Sequence, residues 1–400
     1  MSCKKKMMIL GAGIYQVPLI EKAKEMGLET IVVSRDGDYP GFTIADKSLH
    51  IDTTDIEGIL QAAREEGIDG IVTAGSDVCV PAIGRVCDEL GLPGISYEAA
   101  ISSSVKRDMK AAFEAHGVPT AEYRMAHDLE SAMEALEGIR GKALVKAIDS
   151  SGSRGITVLE ENRTREDVED AIRAVREATR ADEFIVERFI EGEEFGAQAL
   201  VAKGEVVFVL PHGDDVFVGD TGVPVGHHAP IQLDDETVRS IEETVIAGIR
   251  ALGLDDCAVN VDCILSDGQV YVIELAGRVG ATCLAEIVSI RYGIDYYETL
   301  LRTALGMEVG SFDPGNGAPA FGRLVTSDVS GVIESVTLPD DDDPRIIQLS
   351  LDYGPGDRIE AFRTGPDRIG QVVATGETVQ DAEEAVERAI RGLGIVLREE

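Results

Sequence analysis

Residues 260–278 read Asn-Val-Asp-Cys-Ile-Leu-Ser-Asp-Gly-Gln-Val-Tyr-Val-Ile-Glu-Leu-Ala-Gly-Arg, two apolar strand patterns around a turn. Each strand pattern contains one acid, Asp262 in the first and Glu274 in the second. The segment Ser266-Asp267-Gly268 predicts a three-residue hairpin loop with glycine in the left-handed position. In that register Asp262 faces Val272, and Glu274 is its diagonal neighbour on the same face.

Two carboxylates on one strand face repel each other unless a cation lies between them. Mg²⁺ typically takes one or two carboxylates together with phosphate oxygens and water. We therefore predict Asp262 and Glu274 as metal ligands. A two-residue turn would place the two acids on opposite faces and remove this basis. Arg278 follows four residues after Glu274, where a fixed cation could hold phosphate or a developing oxyanion.

A second element is a lysine inside an apolar strand pattern, Lys146 in Ala-Leu-Val-Lys-Ala-Ile over residues 143–148. A lysine there must find an anion or lose its proton. The loop that follows, Ser150-Ser-Gly-Ser-Arg-Gly155, offers hydroxyls and backbone N–H groups that suit a triphosphate. No Gly-Lys-Ser/Thr opens a helix, so this is no Walker A motif. A lysine at a strand edge beside an ordinary serine loop remains the alternative.

A third element is the strand pattern that enters a loop at residues 185–194, Ile-Val-Glu-Arg-Phe-Ile-Glu-Gly-Glu-Glu. Its backbone groups could bind an adenine edge, and Glu194 could accept hydrogen bonds from ribose hydroxyls. The same pattern is typical of any strand that runs into a turn, so that interpretation also stays open.

Strand and helix patterns alternate over residues 1–100, which predicts a doubly wound parallel sheet. Gly11 and Gly13 follow the first strand, but the third glycine of a dinucleotide fingerprint is replaced by Gln16. An NAD(P)-linked oxidoreductase is therefore a weak alternative. The segment Thr73-Ala-Gly-Ser-Asp77 ends the third predicted strand, where open α/β sheets place their ligands.

Three of the six histidines lie in two polar segments, residues 211–215 and 226–230. Adjacent residues on a strand point to opposite faces, so His227 and His228 do not suit a single ion. Contact of His212 or His228 with substrate is one hypothesis, and a structural role for these histidines is the other.

The composition excludes several classes of partner. The 400 residues include 73 acidic and 37 basic side chains, a formal net charge of −36. Such a surface repels a phosphate backbone and anionic membranes, so we expect no nucleic-acid or membrane partner. No stretch approaches the eighteen apolar residues of a membrane span. The six cysteines lack zinc or redox spacing, which predicts reduced thiols and a cytoplasmic protein.

The order of these elements resembles the ATP-grasp superfamily, in the branch of biotin carboxylase, carbamoyl phosphate synthetase and the purine-pathway carboxylase. The resemblance implies an α/β and α+β fold with a doubly wound N-terminal domain at 1–100. A two-subdomain ATP-grasp domain would follow at 101–312, with a lid at about 120–192. A small, mainly β C-terminal α+β domain would occupy 313–400, and a homodimer is a further expectation.

The resemblance also implies the cofactors, ATP and Mg²⁺, and the site. Lys106 and Lys146 match the phosphate-contacting lysines, Asp262 and Glu274 the metal carboxylates, and Arg278, with Lys146, the catalytic group. The remaining matches are the phosphate loop and the adenine and ribose contacts: Ser151, Gly152, Ser153, Gly155, Glu187, Phe189, Ile190 and Glu194. The implied activity is an ATP-dependent, ADP-forming ligase that activates a small-molecule carboxylate as an acyl phosphate and joins it to an amine.

One position departs from the family. Relatives carry Glu-x-Asn after the second strand, with the asparagine as a further metal ligand, whereas this chain has Glu274-Leu-Ala276. Water or another side chain must replace that ligand. A degenerate ATP-grasp module that binds nucleotide without turnover is therefore a further alternative, and the sequence does not identify the acid or the amine.

Overall fold

The fold is described from a computed structural model over residues 4–149, 155–179, 181–218, 222–339 and 343–398. The first part is a parallel sheet with the strand order β3-β2-β1-β4. Its elements are β1 (Lys6–Leu10), α1 (Val17–Glu25), β2 (Glu29–Ser34), α2 (Pro40–Ile44), β3 (Lys47–His50), α3 (Ile56–Glu66), β4 (Gly70–Val72) and α4 (Val80–Leu90). Left-handed Gly67 and Gly91 end α3 and α4, as helix C-caps require. The predicted doubly wound N-terminal fold is confirmed, although the sequence patterns missed α2 and β3.

A second, antiparallel sheet follows, with the strand order β5-β8-β6-β7. The elements of this part are α5 (Tyr97–Ser104), α6 (Lys106–His116), β5 (Tyr123–Ala126), α7 (Leu129–Gly138), β6 (Ala143–Ala147), β7 (Ile156–Leu159), α8 (Arg165–Ala178) and β8 (Phe184–Arg188). Helices α7 and α8 cover this sheet with apolar faces; in α8 the buried positions are Val168, Ala171, Ile172 and Val175. This i, i+3, i+4, i+7 spacing is that of an amphipathic helix.

The largest sheet has eight strands in the order β13-β12-β9-β10-β11-β14-β18-β16. The remaining helices and strands of the chain, which include the eight strands of this sheet, are β9 (Glu193–Ala202), β10 (Glu205–Val218), β11 (Gly222–Ala229), α9 (Asp235–Leu252), β12 (Cys257–Ser266), β13 (Gln269–Ala276), α10 (Leu284–Tyr292), α11 (Tyr296–Ala304), β14 (Ala320–Val325), β15 (Gly331–Thr337), β16 (Ile346–Leu351), β17 (Arg358–Ile359), β18 (Gly370–Thr375), α12 (Val379–Gly392) and β19 (Gly394–Arg398). Strand β14 pairs with β11, so the sheet continues across the domain limit that we place at residue 313. That limit stays a proposal.

The β12–β13 hairpin differs from the sequence prediction. Its turn has two residues, Asp267 and Gly268, both with positive φ, as a type I′ turn requires. With this turn alone, Asp262 and Glu274 would lie on opposite faces. A β-bulge between Asp262 and Cys263 shifts the register by one residue, so that Asp262 pairs directly with Glu274. The predicted three-residue loop is therefore wrong, yet the two acids still share one face.

In the eight-stranded sheet, which we call the central sheet, successive side chains along β9, β12 and β13 alternate between an apolar face and a polar face. Ala197, Val261 and Val272 are buried with α9 in one apolar cluster. On the opposite face, the register aligns Glu274, Asp262, Gly196 and His212 in one row across four strands. Directly paired residues point to the same side of a sheet, so the chemistry-bearing residues are collected on one surface.

Within the described ranges, no helix combines the length and the apolar character that crossing a lipid bilayer requires.

Candidate functional site

Asp262 and Glu274 form the centre of the site. Asp262 is open to the cleft, and Glu274 is about one-third exposed. Enclosure by the protein, together with the neighbouring charge of Glu274, raises the pKa of Asp262 to about 7. Two facing carboxylates that repel each other in this way, both with hard oxygen donors, fit a Mg²⁺ ion.

Lys106 closes one side of this carboxylate pair. It is the first residue of α6, and its Nζ lies 3.1 Å from the Glu274 carboxylate oxygens. Its backbone N–H donates to the carbonyl of Ile148, 2.9 Å away, which attaches the start of α6 to the end of β6. A cation and two acids thus meet where the end of β6 approaches the β12–β13 hairpin, which is the arrangement that phosphates and a metal need.

Lys146 lies in a second charged cluster. It is 3% exposed, and its Nζ lies 2.9 Å from Oε2 of Glu187, which is 1% exposed. A second lysine, Lys110, is equally buried and lies 2.8 Å from the same oxygen. Glu187 therefore uses Oε2 of its carboxylate to bind two lysines, and its backbone lies in β8, which pairs with both β5 and β6.

Sequence reasoning gave Lys110 no role. It lies four residues after Lys106, between Met109 and Phe113 on the buried face of α6. A lysine at a core-facing helical position was the signal that could have identified it. Burial lowers the pKa of Lys110 to about 8, although Glu187 opposes this effect. Burial by itself would raise the pKa of Glu187, but the two lysines outweigh it and hold that pKa below its ordinary value.

The other predicted nucleotide contacts lie on separate strands and loops. Ile190 is buried, and the Phe189 N–H donates to the Lys142 carbonyl at 3.1 Å. Glu194 is exposed on β9, two residues from Gly196 and thus on the face of Asp262. Gly155 has φ +66° and accepts from the Ala147 N–H at 3.1 Å. The predicted loop residues Ser151, Gly152 and Ser153 lie outside the described residues.

Arg278 connects the central sheet to the N-terminal domain. Its Nε donates to Oδ1 of Asp77 at 2.6 Å, and the side chain is 14% exposed. Burial would lower the pKa of Arg278, yet Asp77 keeps it raised. A parallel β-bridge between Ala74 and Val279 fixes the two loops together. The crevice at residues 73–77 that the sequence indicated therefore opens onto Arg278.

A histidine cluster lies farther along the same polar face. Oδ1 of Asp214 accepts from Nδ1 of His212 at 2.8 Å and from Nδ1 of His227 at 2.7 Å. Both rings are buried, and burial lowers the pKa of His227. These three residues could also hold a metal ion. His228 lies on the other face and stacks on Phe321, so the expected separation of the adjacent histidines holds.

The glycine turn after β1 does not resemble a dinucleotide site in space. Gln16 is 6% exposed, and its Oε1 accepts from the Gly13 N–H at 2.9 Å. Its side chain fills the space beside Gly11, where even a Cβ would come within 2.8 Å of it. The backbone N–H that would bind a pyrophosphate is thus already paired, which argues against an NAD(P)-linked oxidoreductase.

Three family models match consecutive parts of the chain. The ATP-grasp N-terminal domain matches residues 20–94, and the ATP-grasp (A) domain of phosphoribosylglycinamide synthetase matches 104–265. The C-terminal domain 2 of L-amino acid ligase matches 323–398.

Comparison with individual proteins agrees with these matches. A phosphoribosylglycinamide synthetase structure from Anaerococcus prevotii is 33% identical, with a TM-score of 0.85 over 99% of this chain and 100% of that one. The alanine–anticapsin ligase of Bacillus subtilis is 25% identical over 321 residues, which are 71% of this chain and 67% of that ligase. The biotin carboxylase domain of Hydrogenobacter thermophilus 2-oxoglutarate carboxylase, solved with MgADP and bicarbonate, shares the fold at 20% identity, with a TM-score of 0.81 over 99% of this chain and 91% of that one.

These matches confirm the resemblance, the fold class and the cofactors, ATP and Mg²⁺, that the sequence predicted. The chain belongs to the ATP-grasp family of ATP-dependent ligases.

Proposed function

We propose that this protein joins a small-molecule carboxylate to an amine through an acyl phosphate, with ADP and phosphate as the other products. The observation that carries the proposal is the convergence of the acid pair, Lys106 and Arg278 on one cleft between the lid, the central sheet and the N-terminal crevice. An acyl-phosphate ligase needs bound phosphates at one end of its cleft and a fixed cation at the other.

Each of these residues has a role that follows from its position in the cleft. Lys146 and Lys106 hold the phosphates of ATP, and Glu194 accepts from the ribose. Asp262 and Glu274 would hold Mg²⁺, which would offset the negative charge of the phosphates. The ion pair with Asp77 keeps the Arg278 guanidinium fixed for the carboxylate substrate and for the acyl phosphate formed from it.

The reaction proceeds in two steps. A carboxylate oxygen of the acid attacks the γ-phosphorus, a new O–P bond forms, and the bond from that phosphorus to the β,γ-bridging oxygen breaks to release ADP. The amine nitrogen then attacks the acyl carbon, the C–N bond forms, and inorganic phosphate leaves while the nitrogen loses a proton. Arg278 stabilises the charge that develops on the acyl oxygen.

Amino acids are the substrate class that we favour. Support comes from the match of residues 323–398 to an L-amino acid ligase domain and from the similarity to an alanine–anticapsin ligase. A homodimer and a cytoplasmic location remain parts of this proposal.

The test measures ADP release from MgATP with pools of amino acids and other small acids and amines. We expect release only when a suitable acid is present, and its loss in Glu274→Gln. Asp267→Asn is the matched control, because it changes a carboxylate at the tip of the same hairpin and asparagine tolerates the positive φ there. Nucleotide binding without turnover on any pool would support the degenerate module instead, and wild-type turnover in Glu274→Gln would contradict the metal assignment.

A further inference from the structure

A chain of side-chain amides leads from the Arg278 loop to the metal carboxylates. The Gly280 N–H donates to Oε1 of Gln198 at 2.9 Å. Nε2 of Gln198 donates to Oδ1 of Asn260 at 2.7 Å. Nδ2 of Asn260 then faces Oδ1 of Asp262 at 3.4 Å. Three hydrogen bonds thus connect a backbone N–H of one functional loop with a predicted metal ligand.

The donor-to-acceptor direction of these three hydrogen bonds is determined by the buried end of the series. Gln198 is fully buried, and the buried Gly280 N–H needs an acceptor, so the oxygen of Gln198 must face it. The Gln198 NH₂ group consequently points to Asn260 and fixes the oxygen of that amide. Turning the Asn260 amide over would bring two NH₂ groups together, so its NH₂ group is held toward Asp262.

The packing around Gly280 leaves no room for a larger residue. A Cβ at this position would lie 2.6 Å from Oδ1 of Asn260 and 3.0 Å from Nε2 of Gln198. Its φ is not in the left-handed region, so a larger residue here would displace these side chains and would not strain the backbone. The loop therefore approaches the two amides closely enough that its position and theirs are coupled.

The cross-strand register explains why an amide at residue 260 matters in this chain. Asn260 on β12 pairs directly with Ala276 on β13. Ala276 is the position that departs from the Glu-x-Asn pattern, so the strand of Glu274 has no polar side chain there. The amide group is instead supplied by the opposite strand, on the same face and next to Asp262.

We propose that Gln198 and Asn260 are positioning residues, which orient the Asp262 carboxylate toward the metal ion and tie it to the loop that carries Arg278. This inference rests on the proposed function of Asp262 as a metal ligand. Hydrogen bonds to a ligating carboxylate fix its orientation, and the loss of such a partner typically weakens metal affinity by about 10–100-fold.

The test measures Mn²⁺ binding to the full chain in the presence of ADP, by the electron paramagnetic resonance signal of free and bound Mn²⁺. We expect Asn260→Ala to weaken Mn²⁺ binding by about tenfold or more, with ADP affinity in EDTA unchanged. Gln198→Met keeps the side-chain volume, removes both hydrogen bonds and should act in the same direction. Asn162→Ala, which removes an exposed amide in the lid, is the control. A purely structural defect would also reduce ADP affinity and the melting temperature.

Two results would overturn the inference. Mn²⁺ affinity in Asn260→Ala equal to that of the wild type would show that the amides do not act on Asp262. Recovery of Mn²⁺ affinity when Ala276→Asn is added to Asn260→Ala would show that Asn260 acts as a metal ligand and not as a positioning donor. Wild-type protein that binds ADP but no Mn²⁺ would instead contradict the proposed function, so the two failures are distinguishable.

Discussion

The buried cluster of Lys110, Lys146 and Glu187 leads us to predict a large effect of Glu187 on the free energy of unfolding. The Lys110 and Lys146 ammonium groups lie 2.8 Å and 2.9 Å from one carboxylate oxygen. With an effective dielectric constant of about 20, each pair has a Coulomb energy of about −6 kcal/mol. Desolvation and repulsion between the lysines offset part of this energy, and removal of one partner of a buried ion pair typically costs about 3–5 kcal/mol. We expect Glu187→Gln to lower the free energy of unfolding by about 3–5 kcal/mol.

The dependence on pH gives this prediction a second test. The folded-state pKa of Lys110 is about 8, below its ordinary value of 10.5, so the unfolded chain binds more protons between these pH values. Stability from this group therefore rises as the pH increases through that window. In Glu187→Gln, Lys110 loses the carboxylate that opposes the effect of burial, so its pKa falls further and the window widens toward lower pH. The difference between wild type and variant should be largest near pH 7 and smaller near pH 10.

Denaturant unfolding followed by circular dichroism at both pH values measures these differences. Glu183→Gln is the control, because Glu183 pairs with Arg107 at 3.2 Å with both side chains about half exposed, an ion pair worth less than about 1 kcal/mol. Adding Lys110→Met to Glu187→Gln should restore part of the loss by removing one unpaired charge. A loss below about 1 kcal/mol in Glu187→Gln, or one that does not change with pH, would show that the two buried lysines do not depend on Glu187.

The remaining predictions concern the cleft. Asp262→Asn should stabilise the metal-free protein by about 1 kcal/mol, because the variant avoids the cost of ionising Asp262 in the folded state. This value is only a fraction of the cost that the raised pKa implies, since the group is open to solvent. Calorimetry should find the gain at pH 8 and little of it at pH 4, where the wild-type acid is already protonated. Asp77→Asn should reduce kcat for ADP release by about 10–100-fold, because Arg278 loses its fixed position, and should leave the KM for ATP unchanged. Lys110→Met should keep a Lys146–Glu187 pair and retain nucleotide binding by calorimetry; complete loss of binding would give Lys110 a direct role.

Some features of this fold could be predicted from sequence because they depend on local patterns. Alternating strand and helix patterns predicted the N-terminal parallel sheet, and the apolar pattern around Lys146 predicted β6. The bulge that brings Asp262 opposite Glu274 could not be inferred in this way, since it depends on how the strand pairs with both neighbours. The sequence correctly predicted that these acids share one face of the hairpin, but it predicted the wrong turn.

The site shows the same division. Lysines and acids inside apolar strands were recognisable because burial of a charge demands a partner. The identity of the partner was not: Lys110 reaches Glu187 across 77 positions of sequence, and Asp77 reaches Arg278 across 201. Such pairs are set by the packing of elements that lie far apart in the sequence, which one sequence without its fold does not reveal.

The proposed function requires that phosphoryl transfer activates the carboxylate substrate. An acid labelled with ¹⁸O in its carboxylate, incubated with MgATP and the amine partner, tests this step. The mechanism predicts one ¹⁸O atom in the inorganic phosphate and ADP as the nucleotide product, both measured by ³¹P nuclear magnetic resonance. Label in AMP with release of pyrophosphate, or unlabelled phosphate beside a formed C–N bond, would contradict it.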